Sequence, residues 1–145
     1  MIAGFINEYY GDRVTYIADV AGGQGMLSRT LNKRYNYHSE VIDPRSNVLK
    51  GVPNRAEVYS PALATYYDLI VGLHADEATR AVAESALLKP AILVPCCNFW
   101  SEQKLGQFEL LDAIERFYTE NGVVYERIEL GFRGPKNIAV VSAPL

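Results

Sequence analysis

The apolar run Val14 to Val20 ends in Asp19-Val20-Ala21-Gly22-Gly23-Gln24-Gly25, and Leu27, Leu31 and Tyr35 then mark one face of a helix. A strand that passes through a glycine-rich turn straight into a helix is the opening half of a β-α-β unit. The glycines allow a tight turn and a close backbone approach that a Cβ would block. Such units build parallel sheets covered by helices, since a parallel connection must cross over the sheet.

The rest of the chain continues the alternation. Ile2, Phe5, Ile6 and Tyr9 predict a short opening helix, and Glu40 to Ile42 a second strand stopped by Asp43-Pro44. Arg45 to Asn54 is too short for a full crossover helix, so a third strand is expected over Ala56 to Tyr59. Tyr67 to Leu73 reads as a fourth strand, apolar enough to be buried on both faces. Ala78, Val82, Ala86 and Leu87 give a helix entered through Asp76-Glu77, whose charges suit its N-terminal dipole. Ala91 to Pro95 is the fifth strand. Ser101 is an expected N-cap, and Leu105, Phe108, Leu111, Ile114 and Phe117 form the apolar stripe of a helix ended by Asn121-Gly122. Two strand-like runs close the chain, Val123 to Leu130 and Asn137 to Ser142. Only Gly131 to Lys136 lies between them, enough for a hairpin and too little for a parallel crossover, so the last strand is expected to be antiparallel.

With 145 residues and 49% of them apolar, the chain suits one domain with a real core. Its charge is −3, from seventeen acids against fourteen Lys and Arg, whereas a domain that grips nucleic acid alone carries a basic face. Nucleic acid as a substrate stays open, but the charge does not favour it. No apolar run approaches the ~20 residues of a membrane span, and Met1 to Tyr10 lacks the basic start and cleavage site of a signal peptide. The two cysteines, Cys96 and Cys97, are adjacent, where a disulfide would be strained. These features predict a cytoplasmic protein.

The glycine turn has two readings. A dinucleotide fingerprint wants Gly-x-Gly-x-x-Gly or Ala; Gly23, Gly25 and Ser28 fit it imperfectly, and a nicotinamide-binding domain is the weaker alternative. The other pattern is an acid followed by Gly-x-Gly-x-Gly, matched by Asp19, Ala21, Gly23 and Gly25, with Ala21 in place of the first glycine. Asp43 follows about twenty residues beyond the turn, at a strand end where a carboxylate can accept both ribose hydroxyls.

Together with the antiparallel last strand, this set resembles the class I S-adenosylmethionine-dependent methyltransferases over essentially the whole chain. The resemblance implies a Rossmann-like three-layer α/β sandwich around a seven-stranded, mostly parallel sheet of order 3-2-1-4-5-7-6 with an antiparallel last strand. It implies S-adenosylmethionine as cofactor, with Asp19, Ala21, Gly22, Gly23 and Gly25 at its methionine end and Asp43 at its ribose. Ser60 and Pro61 fall where the family contacts adenine, and Gly72 and Leu73 on the strand that points at the methyl group. Gly72-Leu73-His74 and Pro95-Cys96-Cys97 are also similar to motifs of a methyltransferase-domain group, and more distantly to a tRNA 2′-O-methyltransferase family. Asp76-Glu77 and Asn98-Phe99 stand where that family has Cys-Gly and paired histidines.

Methyl transfer is an in-line displacement, so positioning the nucleophile supplies much of the rate. His74 is the candidate catalytic residue, because an imidazole can take a proton from a hydroxyl or amine. The bland reading, that it only shapes the loop, stands beside this one. Asp76 and Glu77 are candidates for assisting proton transfer or simply helix-start charges. The Asn/Asp-Pro-Pro-aromatic motif of base-amino methyltransferases is absent after the fourth strand. No metal is expected, because zinc sites space their cysteines and only His38 and His74 could add imidazoles. Asn98, Phe99 and Trp100 form an expected substrate rim, and Tyr9-Tyr10 and Tyr66-Tyr67 are stacking or core residues. The leading function is methyl transfer to an unidentified acceptor. The rival is a non-catalytic subunit of the same fold that supports a protein partner or pairs with a second copy.

Overall fold

The computed structural model describes residues 2–45, 47–95, 100, 105–130 and 138–144. Its helices are α1 (Ile2–Tyr10), α2 (Met26–Tyr35), α3 (Thr79–Ser85) and α4 (Gln107–Glu120). Its strands are β1 (Tyr16–Val20), β2 (His38–Ile42), β3 (Asn54–Arg55), β4 (Leu69–Leu73), β5 (Ala91–Val94), β6 (Val124–Glu129) and β7 (Ile138–Ala143). The seven strands of the described residues form one sheet of order β3-β2-β1-β4-β5-β7-β6. β1 to β5 pair in parallel, and β7 runs antiparallel to both β5 and β6, as expected from the short link before it.

Side chains alternate across a strand, so a sheet covered on both faces must be apolar on both. Ala18 and Val20, Ile70, Leu93 and Val140 face the layer of α3 and α4. Ile17, Leu69, Val71, Ile92, Val94 and Val141 face α1 and α2. This period of two is why β1, β4 and β5 read as unbroken apolar runs. The edge strand β6 differs: its positions are exposed or half-buried, and Arg127 uses that exposure to reach Glu115 at 2.9 Å and Asp112 at 3.2 Å on α4.

The third strand departs from expectation. It is Asn54–Arg55, and the run Ala56 to Tyr59 lies outside the sheet. β3 pairs only with Val41 and Ile42, and Arg55 anchors it through its guanidinium to Glu40 at 2.8 Å. Tyr59 is drawn into the core on the α3 side instead. Its hydroxyl lies 2.5 Å from that of Ser85, which in turn donates to the Ala81 carbonyl at 2.8 Å. Val58, left behind, is 74% exposed.

Smaller shifts have similar causes. β4 starts at Leu69 rather than Tyr67 because the Asp68 carboxylate accepts the N–H groups of Thr15 and Tyr16, both at 2.9 Å, tying the starts of β1 and β4. Asp76 to Ala78 form a single 3-10 turn before α3, and the helix ends at Ser85. On α4 the buried stripe is Leu110, Leu111, Ile114 and Tyr118, while Phe108 is 61% exposed. Phe117 leans instead on Trp100, its ring centre 5.7 Å away. The first described helical residue follows Gly106, whose N–H donates to the Glu109 carboxylate at 3.4 Å; Ser101 lies outside the described residues. Among the described residues, no helix is long and apolar enough to cross a membrane.

Gly72 sits where α3 presses against β4. A Cβ there would lie 2.9 Å and 3.1 Å from the Val82 methyls and 3.2 Å from Leu93. Gly72→Ala is expected to lower stability by about 1–3 kcal/mol through overpacking, read as a lower urea midpoint with unchanged slope.

Candidate functional site

Open α/β sheets bind ligands beyond the carboxyl ends of their strands, where the strand order reverses. Here the chain leaves β1 toward β2 and β3 on one side, then returns to place β4 on the other. A cleft of 480 Å³ lies at that point, lined by residues at or just past the ends of β1, β2, β3 and β4 and by α3: Ala21, Ile42, Asp43, Arg45, Tyr59 and Asp76 among them. Two larger hollows, of 650 and 610 Å³, lie at the opposite ends, against Asp68 and Lys89 in one and Tyr16 and His38 in the other. The smaller cleft is the candidate site because the glycine turn and Asp43 meet only there.

Asp19 builds the cleft from beneath. It is 2% exposed, and its carboxylate lies so close under the loop that a Cβ on Gly22 would fall 2.5 Å from Oδ1. Ser28 on α2 donates to Oδ2 at 2.8 Å, and the Ser39 hydroxyl of β2 lies 2.8 Å beyond. Asn32 brackets Ser39 on both backbone groups, giving 2.9 Å to its carbonyl and taking 2.6 Å from its N–H. Burial raises the Asp19 carboxyl to about 6, with the Ser28 hydrogen bonds opposing the rise. Asp19, expected at the methionine end, lies buried beneath the loop and supports it.

Above it the loop turns through Ala21, Gly23 and Gly25, at φ 55°, 60° and 86°. Gly25 also admits Val52, which would meet its Cβ at 2.7 Å. The backbone is held to β2, with the Ala21 N–H on the Ile42 carbonyl at 2.9 Å, and to the next loop, with Leu49 on Gln24 at 2.8 Å. Gly23 has open space where its Cβ would stand.

Asp43 faces the same cleft from the end of β2 and joins the two loops. It accepts the Gly23 N–H at 3.2 Å and the Arg45 N–H at 2.9 Å. The Arg45 guanidinium adds Nε to Oδ1 at 2.9 Å and Nη2 to Oδ2 at 2.7 Å. That hydrogen-bonded pairing lowers the Asp43 carboxyl to about 2 against the opposing effect of burial. Asp19 and Asp43 are thus shifted in opposite directions.

After β4 the backbone bends sharply. His74 and Asp76 both have positive φ, 54° and 50°, and the His74 N–H donates to the Val94 carbonyl of β5 at 3.0 Å. With Ala21, three of the four non-glycine residues of positive φ among those described border or adjoin this cleft. His74 is half-buried beside Ala75, which lines the cleft. Gly72 and Leu73 lie within the sheet, and the open wall beyond them is Ala78 and Ala81. Ser60 and Pro61 begin a 3-10 turn; their neighbours Val58 and Tyr59 line the cleft instead.

Arg45 and Tyr59 enter the site without a motif to announce them. The available signal for Arg45 is the Asp-Pro-Arg turn, in which the Asp43 side chain accepts the N–H two residues on. His38 lies against Tyr16, their ring centres 5.4 Å apart and tilted, at the far end of β1 and β2, away from His74. Among the described residues, no cluster of three His, Cys, Asp or Glu is arranged to hold a metal. Cys96, Cys97, Asn98 and Phe99 lie outside the described residues.

No protein-family model and no curated protein sequence matches this chain. Solved structures do. DesVI from Streptomyces venezuelae superimposes with a TM-score of 0.63 at 13% identity, over 99% of this chain and 89% of its own. The methyltransferase domain of bacterial CtHen1-CN gives 0.61 at 12% identity, over 99% and 97%. A SAM-dependent methyltransferase from Archaeoglobus fulgidus gives 0.58 at 11% identity, over 97% and 92%. At these identities the shared property is the fold, and the chain has the α/β fold of these methyltransferases.

The buried acid under the loop sets a pH dependence. Asp19 ionises near 3.8 in the unfolded chain and, raised by burial, at about 6 when folded. The folded state therefore holds the extra proton between these values, and its stability falls as pH rises through them, by about 3 kcal/mol in all. Asp43 acts in the opposite sense and lower, its contribution lost as pH falls toward about 2. Asp19→Asn is expected to flatten the decline between about pH 4 and 7, followed as urea-unfolding free energy against pH. A variant with the wild-type slope would place the titration elsewhere.

Proposed function

We propose that this chain is an S-adenosylmethionine-dependent methyltransferase. The observation that carries the reading is the buried Asp43 carboxylate facing, across one cleft, the glycine loop that Asp19 supports, in a sheet of order β3-β2-β1-β4-β5-β7-β6. The described methyltransferases of the same fold support it.

The residues present fit that cofactor. Asp43 offers a carboxylate, the group suited to a vicinal pair of ribose hydroxyls. Ile42, Val58, Tyr59 and Ala78 offer an apolar wall for a purine. The open side of Gly23 gives backbone room for an amino-acid end. When bound, the cofactor supplies a methyl group on a positively charged sulfur. The chain's own part is then to hold the acceptor in line and remove its proton.

His74 is assigned the proton. It follows the last residue of β4, and its N–H is held to the Val94 carbonyl of β5, which fixes its backbone next to Ala75 at the cleft. A neutral imidazole takes the proton of a hydroxyl or amine as the new bond to the methyl carbon forms. The acceptor is accordingly a molecule presenting such a group.

Calorimetric titration with S-adenosylmethionine and S-adenosylhomocysteine, with NAD as control, tests the cofactor. Micromolar binding, about −8 kcal/mol, and no NAD affinity are expected; failure of both sulfur ligands would sink the reading. Asp43→Ala should weaken S-adenosylhomocysteine at least about tenfold, as loss of a charged hydrogen-bond acceptor does. His74→Ala should leave that affinity unchanged and lower labelled-methyl transfer about a hundredfold. Equal losses of binding and transfer in His74→Ala would make it a structural residue.

A further inference from the structure

The Asp43 carboxylate is engaged on both of its oxygens. Both oxygens receive the Arg45 guanidinium, Oδ1 the Arg45 N–H as well, and Oδ2 the Gly23 N–H. A carboxylate has about four lone-pair sites, and these contacts use them. Its side chain is buried, whereas the Arg45 side chain is 62% exposed. The partner that can leave is therefore the arginine.

We infer that Arg45 is an affinity-setting residue of the cofactor site: its guanidinium covers the Asp43 carboxylate and competes there with the ribose hydroxyls. The inference rests on the S-adenosylmethionine reading of the cleft and adds to it a residue that the site must move. Asp43-Pro44-Arg45 builds the competition locally. The turn that places the Arg45 N–H on Oδ1 also brings the side chain back over the same carboxylate, so little chain entropy opposes the contact. Arg45 lines the cleft itself, and so do Asp76 and Glu77, whose charges act on its guanidinium. On leaving Asp43 the arginine stays in a favourable field, which makes its displacement by a neutral diol feasible.

S-adenosylhomocysteine is the suitable probe because it carries no net charge, so Arg45 neither attracts nor repels it as a whole. Its affinity for the wild-type chain, Arg45→Gln and Arg45→Lys is measured by calorimetry at low and high salt, with thermal unfolding as the check on folding. Arg45→Gln is expected to bind about two- to fivefold more tightly, the scale of a solvent-exposed ion pair. Arg45→Lys, with a charge but no planar fork, falls between. Raising the salt tightens wild-type binding by screening the pair and leaves Arg45→Gln unchanged. Equal or weaker binding by a folded Arg45→Gln, with wild type binding normally, overturns the inference and spares the cofactor reading. No binding by either chain overturns both, and binding by Arg45→Gln alone supports both.

Discussion

The buried carboxylate of Asp19 is the contact on which the site depends. A charge out of water is costly unless hydrogen bonds surround it, and this one is answered by a short polar chain through Ser28 and Ser39 to Asn32. Those residues belong to β1, α2 and β2, so satisfying one acid fixes three elements against each other. The loop that crosses above it can do so only because Gly22 has no side chain. The position of the loop is thus set by packing and polar satisfaction below it.

Asp19 and Asp43 show how environment divides one residue type into two electrostatic states. Asp19 has a hydroxyl partner and little solvent, and its charged form is disfavoured. Asp43 has a guanidinium and two backbone N–H donors, and its charged form is strongly favoured. The first is suited to holding a loop in place, the second to accepting hydrogen bonds at neutral pH. Gly23 connects them, since the loop that rests on Asp19 donates to Asp43.

The far side of the sheet serves the site indirectly. β7 enters antiparallel between β5 and β6, and its residues alternate into both cores. β6 is then an exposed edge, tied back by Arg127 to Glu115 and Asp112. α3 packs close enough on β4 to require Gly72, and that closeness brings Ala78 and Ala81 to the cleft wall.

The sequence by itself determined the antiparallel end and the location of the glycine loop and Asp43, because these follow from periodicity, connection length and turn chemistry, all local, while the strand order came only with the family resemblance. It also carried the resemblance from which the ligand was read. Tertiary structure alone decided that Asp19 lies beneath the loop, that Tyr59 leaves the edge strand for Ser85, that α4 buries Tyr118 rather than Phe108, and that Arg45 closes on Asp43. Each depends on which surfaces meet across the fold or on whether a partner stands within hydrogen-bond reach. Residue spacing along a chain sets which face a side chain takes, but not what waits for it there.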